Sequence, residues 1–441
     1  MDPHQKRTCR LITLGCKVNQ YETQHAKELL EANGYREAMA DERAELCIVN
    51  TCTVTNEADA QGRQLIRRLE RQNPGAALVV MGCYATREPE TLGRLPGVVK
   101  VITDKGRLRE ELREFGVTQD RSLIQRFDGH QRAFVKVQDG CLLNCTFCII
   151  PKVRPVLRSR TLDEIVAEVA QLVENGYREI VLTGIHLGHY GIDLSRYKPR
   201  ENWQRLWHLL DRLGEMPGEF RIRLSSLEAA EVRNDLVRAM AANPRVCPHL
   251  HVCLQSGSDR ILSLMKRRYR AAGFLERCRR LRSSLAQPAF TTDIIVGFPG
   301  ETETDFQATC DVVREVGFIQ MHVFPFSKRK GTAAAELPES VPHAVVAERR
   351  ARLAELEREM ANRYMHELIG RRLEVLVEGP DPERPGWVRG TSCRRVRAAF
   401  AGWAPGLIRR LVPVLALEIN GSILLARPEA ELQRYPLPLL G

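Results

Sequence analysis

The chain has 441 residues, 44% of them apolar and 27% charged, with a formal charge of +11 and 13 cysteines. Such a length suggests two to four domains with buried cores, and no apolar run approaches the ~20 residues that cross a bilayer, so no membrane partner is expected. Met1-Asp2-Pro3-His4-Gln5-Lys6 leads into no apolar signal core, which together with an odd cysteine count predicts a cytoplasmic protein with reduced thiols rather than a disulfide framework.

The first 125 residues alternate short apolar runs with helical spacing. Arg10–Leu14, Leu46–Val49 and Leu78–Met81 read as buried strands, and Gln20–Ala32 and Glu57–Arg71 as the helices between them. Strand–helix–strand alternation implies a parallel α/β sheet. Residues 133–368 continue the pattern, with strands expected at Phe134–Val137, Glu179–Thr183, Arg221–Leu224, His249–Leu254, Thr291–Val296 and Met321–Phe324. Six such units point to a partial (β/α)6 barrel, with chemistry at the C-terminal strand ends. Ala344–Leu368, rich in Ala, Glu and Arg, reads as a long exposed helix. Residues 369–434 carry short strands broken by Gly and Pro, the pattern of a small all-β barrel of the oligonucleotide-binding type. The net positive charge suits a polyanionic partner. Arg outnumbers Lys by 55 to 11, however, and a G- and C-rich genome would give the same bias.

Cys141-Leu-Leu-Asn-Cys145-Thr-Phe-Cys148 is the sharpest motif. Three thiols in one tight loop fit an iron–sulfur cube, which normally takes four, so one iron is left open to a ligand. Zinc is the competing reading, but it usually draws on a second Cys pair or Cys/His set, and none lies nearby. Cys16, Cys52 and Cys83 form a dispersed second set, each just after one of the three N-terminal strands. A parallel sheet gathers its C-terminal strand ends along one edge, where ligands bind. A second metal site and small apolar thiols filling a core both remain open for these three. Cys9, Cys47, Cys247, Cys253, Cys278, Cys310 and Cys393 read as buried packing residues. His186 and His189 read as solvated loop histidines rather than ligands, and Arg158–Arg160 and Lys266–Arg268 as solvated charge runs.

With Phe147 inside it, the CxxxCxxC loop resembles the radical S-adenosylmethionine signature. Ile149-Ile150-Pro151, Arg158-Ser159-Arg160, Leu254-Gln255-Ser256-Gly257-Ser258 and Gly297-Phe298-Pro299-Gly300-Glu301 resemble those of the radical SAM methylthiotransferases, over nearly the whole chain. Leu14-Gly15-Cys16-Lys17-Val18-Asn19-Gln20 is most similar to the branch acting on N6-threonylcarbamoyladenosine in tRNA. The branches acting on isopentenyladenosine tRNA or on a ribosomal protein differ at Lys17 and Val18. The resemblance implies a 4Fe-4S cluster on Cys141, Cys145 and Cys148 and a second on Cys16, Cys52 and Cys83. It implies S-adenosylmethionine contacts from Phe147, Gly184, Glu228, Gln255, Ser256 and Val296, and a C-terminal TRAM barrel associated with RNA. The reaction it implies is methylthiolation at C2 of the modified adenine, by a radical that the cofactor generates, because an aromatic C–H is beyond ordinary side-chain bases. The implied partners are a tRNA anticodon stem-loop and an electron donor such as flavodoxin or ferredoxin. A metal-binding RNA-binding protein without catalysis is the alternative from another class. Pro155, Ala229, the basic run Lys328–Lys330 and the turn Thr391–Arg395 depart from the family pattern.

Overall fold

The structure is a computed structural model and describes residues 7–121 and 123–430. Five strands build the N-terminal sheet: β1 (Arg7–Thr13), β2 (Tyr35–Glu37), β3 (Leu46–Thr51), β4 (Ala77–Gly82) and β5 (Val98–Val101), in the order β2-β1-β3-β4-β5. All neighbours run parallel. Every residue of β3 is buried, as a central parallel strand covered by helices on both faces requires. The helices Lys17–Ala32 and Asn56–Gln72 supply that cover. Thr55 caps the second by accepting a hydrogen bond from the Ala58 N–H. β2 and β5 have no counterpart in the sequence reading, because both are short, partly exposed edges with no readable period.

The central body contains β6 (Ala133–Asp139), β7 (Arg158–Ser159), β8 (Glu179–Gly184), β9 (Arg221–Leu224), β10 (Leu227–Glu228), β11 (His249–Cys253), β12 (Ala289–Val296) and β13 (Gln320–Pro325). The six expected strands are β6, β8, β9, β11, β12 and β13. β6-β8-β9 and β11-β12-β13 are parallel sheets, and a parallel bridge between Ile222 and Val246 joins them beside β11. The result is an open arc of six strands, a partial barrel. β7 pairs antiparallel at the β6 edge. Capping boxes at Thr161/Glu164 and Thr302/Asp305 start the helices Leu162–Glu174 and Glu303–Val316. Ile124 and Phe127, around the expected end of the first domain, are buried in the central core.

The helix His343–Leu368 is not the exposed rod that its composition suggests. Arg349, Leu353, Leu356, Met360, Tyr364 and Leu368 are buried along one stripe. Their three- and four-residue spacing is a docking face diluted by charged neighbours. Beyond it β14 (Arg372–Pro380), β15 (Trp387–Ser392), β16 (Arg397–Ala401), β17 (Leu411–Asn420) and β18 (Ile423–Pro428) close into a barrel in the order β14-β15-β16-β18-β17. Closure removes every free edge. Leu373, Val375, Val388, Phe400 and Val414 fill its interior. Residues 1–6, 122 and 431–434 of the expected domains lie outside the described residues.

The barrel docks on the central body through a buried charge cluster. Glu179, fully buried, accepts hydrogen bonds from Arg221 Nε at 2.8 Å and Arg223 Nε at 3.0 Å, with Arg132 Nε at 3.3 Å. The remaining guanidinium donors reach the Glu374, Thr391, Ser392 and Cys393 carbonyls. The atypical turn Thr391–Arg395 is therefore held against the central body. Among the described residues no helix is long and apolar enough to cross a membrane.

Candidate metal and cofactor site

The dispersed cysteines sit where parallel topology requires. β1, β3 and β4 are adjacent, and Cys16, Cys52 and Cys83 follow their C-terminal ends. Two glycines with left-handed φ let the chain turn there, Gly15 at +100° and Gly82 at +101°. A Cβ on Gly15 would stand 2.8 Å from Cys52 Cβ, and one on Gly82 only 2.3 Å from the Thr51 carbonyl oxygen. Asn19, buried, braces the edge by donating to the Leu14 and Thr51 carbonyls at 2.9 and 3.1 Å. Burial pushes the Cys52 thiol up to about 11, and neighbouring Cys83 and Cys16 add to it. Three thiols in each other's field, at an edge where only glycine fits, suit a shared metal centre that takes them as thiolates.

The second set lies on the loop that leaves β6. Gly140, at φ +80°, packs too tightly against the Val156 carbonyl to carry a side chain. Cys141, Cys145 and Cys148 then line one wall of a cavity of about 440 Å³. Thr146 anchors the loop, donating from its hydroxyl to the Leu264 carbonyl at 2.8 Å. Burial raises Cys141 to about 11 and Cys148 to about 12, so holding them as thiolates needs cationic compensation. A metal cluster provides that, and Arg267 adds to it by donating to Cys145 Sγ at 3.3 Å. Three sulfurs facing one cavity with no fourth Cys on the loop fit a cluster with an open iron beside a ligand space.

Strand ends β8, β9, β11, β12 and β13 form the rest of the cavity. Phe147, Gly184, Glu228 and Gln255 line it. Ser256 and Val296, expected beside them, do not. Both are fully buried, with Ser256 Oγ turned to Thr309 at 3.4 Å and the Val296 carbonyl paired to the Phe326 N–H. Period-two alternation along β12 places Val296 behind the wall, while Ser256 lies past the end of β11, after the left-handed Gln255. Gln255 holds a left-handed φ of 62°, the kind of local strain that gathers at functional positions. Cys16 and Lys17 reach the same cavity.

Several other residues differ from their sequence reading. His186 and His189 are buried, not solvated, and their rings stack at 3.7 Å. His186 Nε2 lies 3.1 Å from Glu228 Oε2. Burial raises the Glu228 carboxyl, but His186 and Arg267 outweigh it and hold it below its ordinary value. Arg160 pairs with buried Glu168 at 3.1 Å, and Arg267 is nearly buried, so neither run is simply a solvated surface. Cys253 is also more than packing, since it lines the cavity and donates to Asp293 Oδ2 at 3.4 Å. Cys393 is only partly buried.

Arg154 is the residue that sequence reasoning most clearly missed. It is 4% exposed and donates to Glu22 at 2.7 and 2.9 Å, Asp139 at 2.9 Å, Asn19 at 3.0 Å and Cys83 Sγ at 3.2 Å. Its carbonyl accepts from the Cys141 N–H at 3.3 Å. One side chain thus ties the loop of one cysteine set to a sulfur of the other. Arg329, in the basic run, likewise points inward, donating to Thr53 at 2.8 Å and Asp59 at 2.7 Å.

Residues 8–104 match the model of an uncharacterized protein family, UPF0004, and residues 135–313 match that of the radical SAM superfamily. The chain is 40% identical to the threonylcarbamoyladenosine tRNA methylthiotransferase MtaB of Chlamydia pneumoniae, over 85% of this chain and 87% of that protein. It is 37% identical to the tRNA-2-methylthio-N(6)-dimethylallyladenosine synthase of Mycobacterium ulcerans, over 86% and 74%. Among solved structures, the radical S-adenosylmethionine methyltransferase TsrM of Kitasatospora setae superposes with a TM-score of 0.52 over 75% of this chain and 74% of that one, at 15% identity, a likeness of fold alone. Identity at this level over most of both chains, with family matches in both the N-terminal sheet and the partial barrel, means that the chain belongs to the radical SAM methylthiotransferases.

Proposed function

We propose that this chain transfers a methylthio group to C2 of N6-threonylcarbamoyladenosine next to the anticodon of tRNA. Cys141, Cys145 and Cys148 share one strand-end cavity with Cys16 of the second set, and Arg154 ties Cys83 to the Cys141 loop; that juxtaposition is the observation that carries the proposal. The substrate branch is supported by 40% identity to a relative named for threonylcarbamoyladenosine tRNA and by Lys17-Val18-Asn19 beside Cys16.

In this reading Cys141, Cys145 and Cys148 hold one 4Fe-4S cluster, and Cys16, Cys52 and Cys83 hold a second that serves sulfur transfer. When bound, the cluster on Cys141, Cys145 and Cys148 would supply one-electron chemistry for cleaving S-adenosylmethionine, which no side chain offers. Phe147, Gly184, Glu228 and Gln255 contact that cofactor, while Ser256 and Val296 support the wall from behind. Arg267 and Arg154 donate hydrogen bonds to a sulfur of each set, compensating thiolate charge in a dry site. Glu228, kept anionic and oriented by His186, accepts from a cationic or hydroxyl group of the cofactor. The functional division follows residues 1–125, 133–368 and 369–434, with flavodoxin or ferredoxin as electron donor in the cytoplasm.

The test is anaerobic reconstitution with iron and sulfide, followed by reduction in the presence of S-adenosylmethionine and an anticodon stem-loop carrying threonylcarbamoyladenosine. Formation of 5'-deoxyadenosine together with the 2-methylthio nucleoside is expected. A protein that binds only zinc and cleaves no S-adenosylmethionine refutes the proposal.

A further inference from the structure

Beneath the strand-end cavity lies a second one of about 390 Å³. Its wall includes Val181, Arg223, His251, Thr291 and His322, each two residues before Thr183, Ser225, Cys253, Asp293 and Phe324 of the upper cavity. Alternation along a strand puts such pairs on the same inward face, roughly 6–7 Å apart. The lower cavity is therefore the next layer of the open barrel. Lys17 and Ser225 border both cavities, and Gly129–Arg132, Glu378 and Arg395 close the lower one from the side.

Four cations face this space, and two of them are already neutralised. Arg223 pairs with Glu179 at 3.0 Å, and Arg132 pairs with Glu179 and with Glu378. Lys17 and Arg395 have no carboxylate partner among the described residues. The carboxylate of Asp293 is taken by His251 at 3.2 Å and by the Cys253 thiol. Arg395 is lowered to about 10 by burial and by the neighbouring Arg223 and Arg132. Buried His249 is likewise held neutral, first by burial and then by Arg223 and Arg395. Arg395 and His249 thus both face neighbouring positive charge. Arg395 also sits at a left-handed φ of 67°, in the turn that Arg221 and Arg223 clamp onto the central body. A side chain held at a backbone cost, in a cavity short of negative charge, is built to meet an anion.

We propose that Lys17 and Arg395 bind the carboxylate of the threonylcarbamoyl arm, so that the lower cavity selects a carboxylated adenine while the upper cavity presents C2 to the cofactor. This deepens the proposed function and rests on it. A hydrogen-bonded carboxylate–cation contact contributes enough to discriminate roughly 10- to 100-fold against a neutral analogue. The turn Thr391–Arg395, which departs from the family pattern, acquires a role at the substrate's arm rather than on exposed RNA.

The test compares two anticodon stem-loops, one carrying threonylcarbamoyladenosine and one carrying its threonyl methyl ester, with the full-length reconstituted enzyme. Binding by fluorescence anisotropy and methylthiolation kcat/KM are both measured. The wild type is expected to favour the acid roughly 10- to 100-fold, Lys17→Met and Arg395→Met to bring the ratio towards unity, and Lys17→Arg to restore much of it. Binding of an unmodified stem-loop reports whether each variant is folded, and the two substitutions lie in different parts of the fold. Acid preference that survives both Met substitutions overturns the carboxylate pocket while leaving the proposed function intact. Turnover only of an isopentenyladenosine stem-loop overturns both.

Discussion

Replacing Arg154 by Met tests whether the N-terminal sheet and the partial barrel are fastened through the charge cluster beside Cys83. The Arg154 side chain is 2% exposed, that of Glu22 6% and that of Asp139 22%. Removing one member of a buried pair strands the other and costs ~3–5 kcal/mol. Lys136 still reaches Glu22 at 2.8 Å and Asp139 at 2.6 Å, which puts the loss at the low end, about 3 kcal/mol. With a urea slope of about 1–3 kcal/mol per molar, the midpoint should fall by roughly 1–3 M. Burial alone would raise both carboxyls, but Arg154 and Lys136 outweigh it and hold them below their ordinary values. Their stabilisation is therefore present above the unfolded carboxylate range and is lost as pH falls through the folded values. In the variant, burial is less opposed and the carboxyls take up protons at higher pH. The gap between wild type and variant should narrow between pH 7.5 and about pH 3.5, a window that spans the unfolded carboxylate range. Urea titration of the apo proteins at both pH values is the assay. A midpoint shift below about 0.3 M at pH 7.5, or a gap unchanged by pH, refutes the reasoning.

The other expectations are simpler to read out. Gly82→Ala should lower iron from about eight to about four per chain, because its Cβ would collide with the Thr51 carbonyl at the second cysteine set; full iron loading contradicts the close approach. Cys141→Ala should lose about four irons and all 5'-deoxyadenosine formation, whereas Cys52→Ala should lose the same iron but keep S-adenosylmethionine cleavage. Equal behaviour of the two would refute the division of labour. Glu179→Gln removes the buried carboxylate that Arg132, Arg221 and Arg223 share and should cost about 3 kcal/mol or more. It should speed amide exchange at Cys393–Arg395, and unchanged exchange there would mean the barrel is held by other contacts.

Strand positions were legible because buried parallel strands read as continuous apolar runs, as β3 and β4 do. The second cysteine set was legible for the same reason, since strand ends and sheet order together fix where Cys16, Cys52 and Cys83 meet. Charged residues were not. Arg154 meets Glu22 across 132 positions, and Arg329 meets Asp59 across 270, so a local window cannot distinguish either from a solvated charge. His186 and His189 failed likewise, because their burial comes from the loop folding back against Gln138 of β6 and Glu228. The helix His343–Leu368 shows a milder version, its docking stripe diluted by Glu and Arg. Ser256 and Val296 were misplaced by one layer, since adjacency to a strand end does not say which face a side chain takes.

The central claim concerns the tRNA base that this chain modifies. The most direct measurement is mass spectrometry of total tRNA nucleosides from cells with and without the gene. Loss of the 2-methylthio derivative of N6-threonylcarbamoyladenosine, with the unmodified precursor accumulating, is the predicted result. An intact pool of that nucleoside, or loss of the 2-methylthio isopentenyl product in its place, would contradict the account.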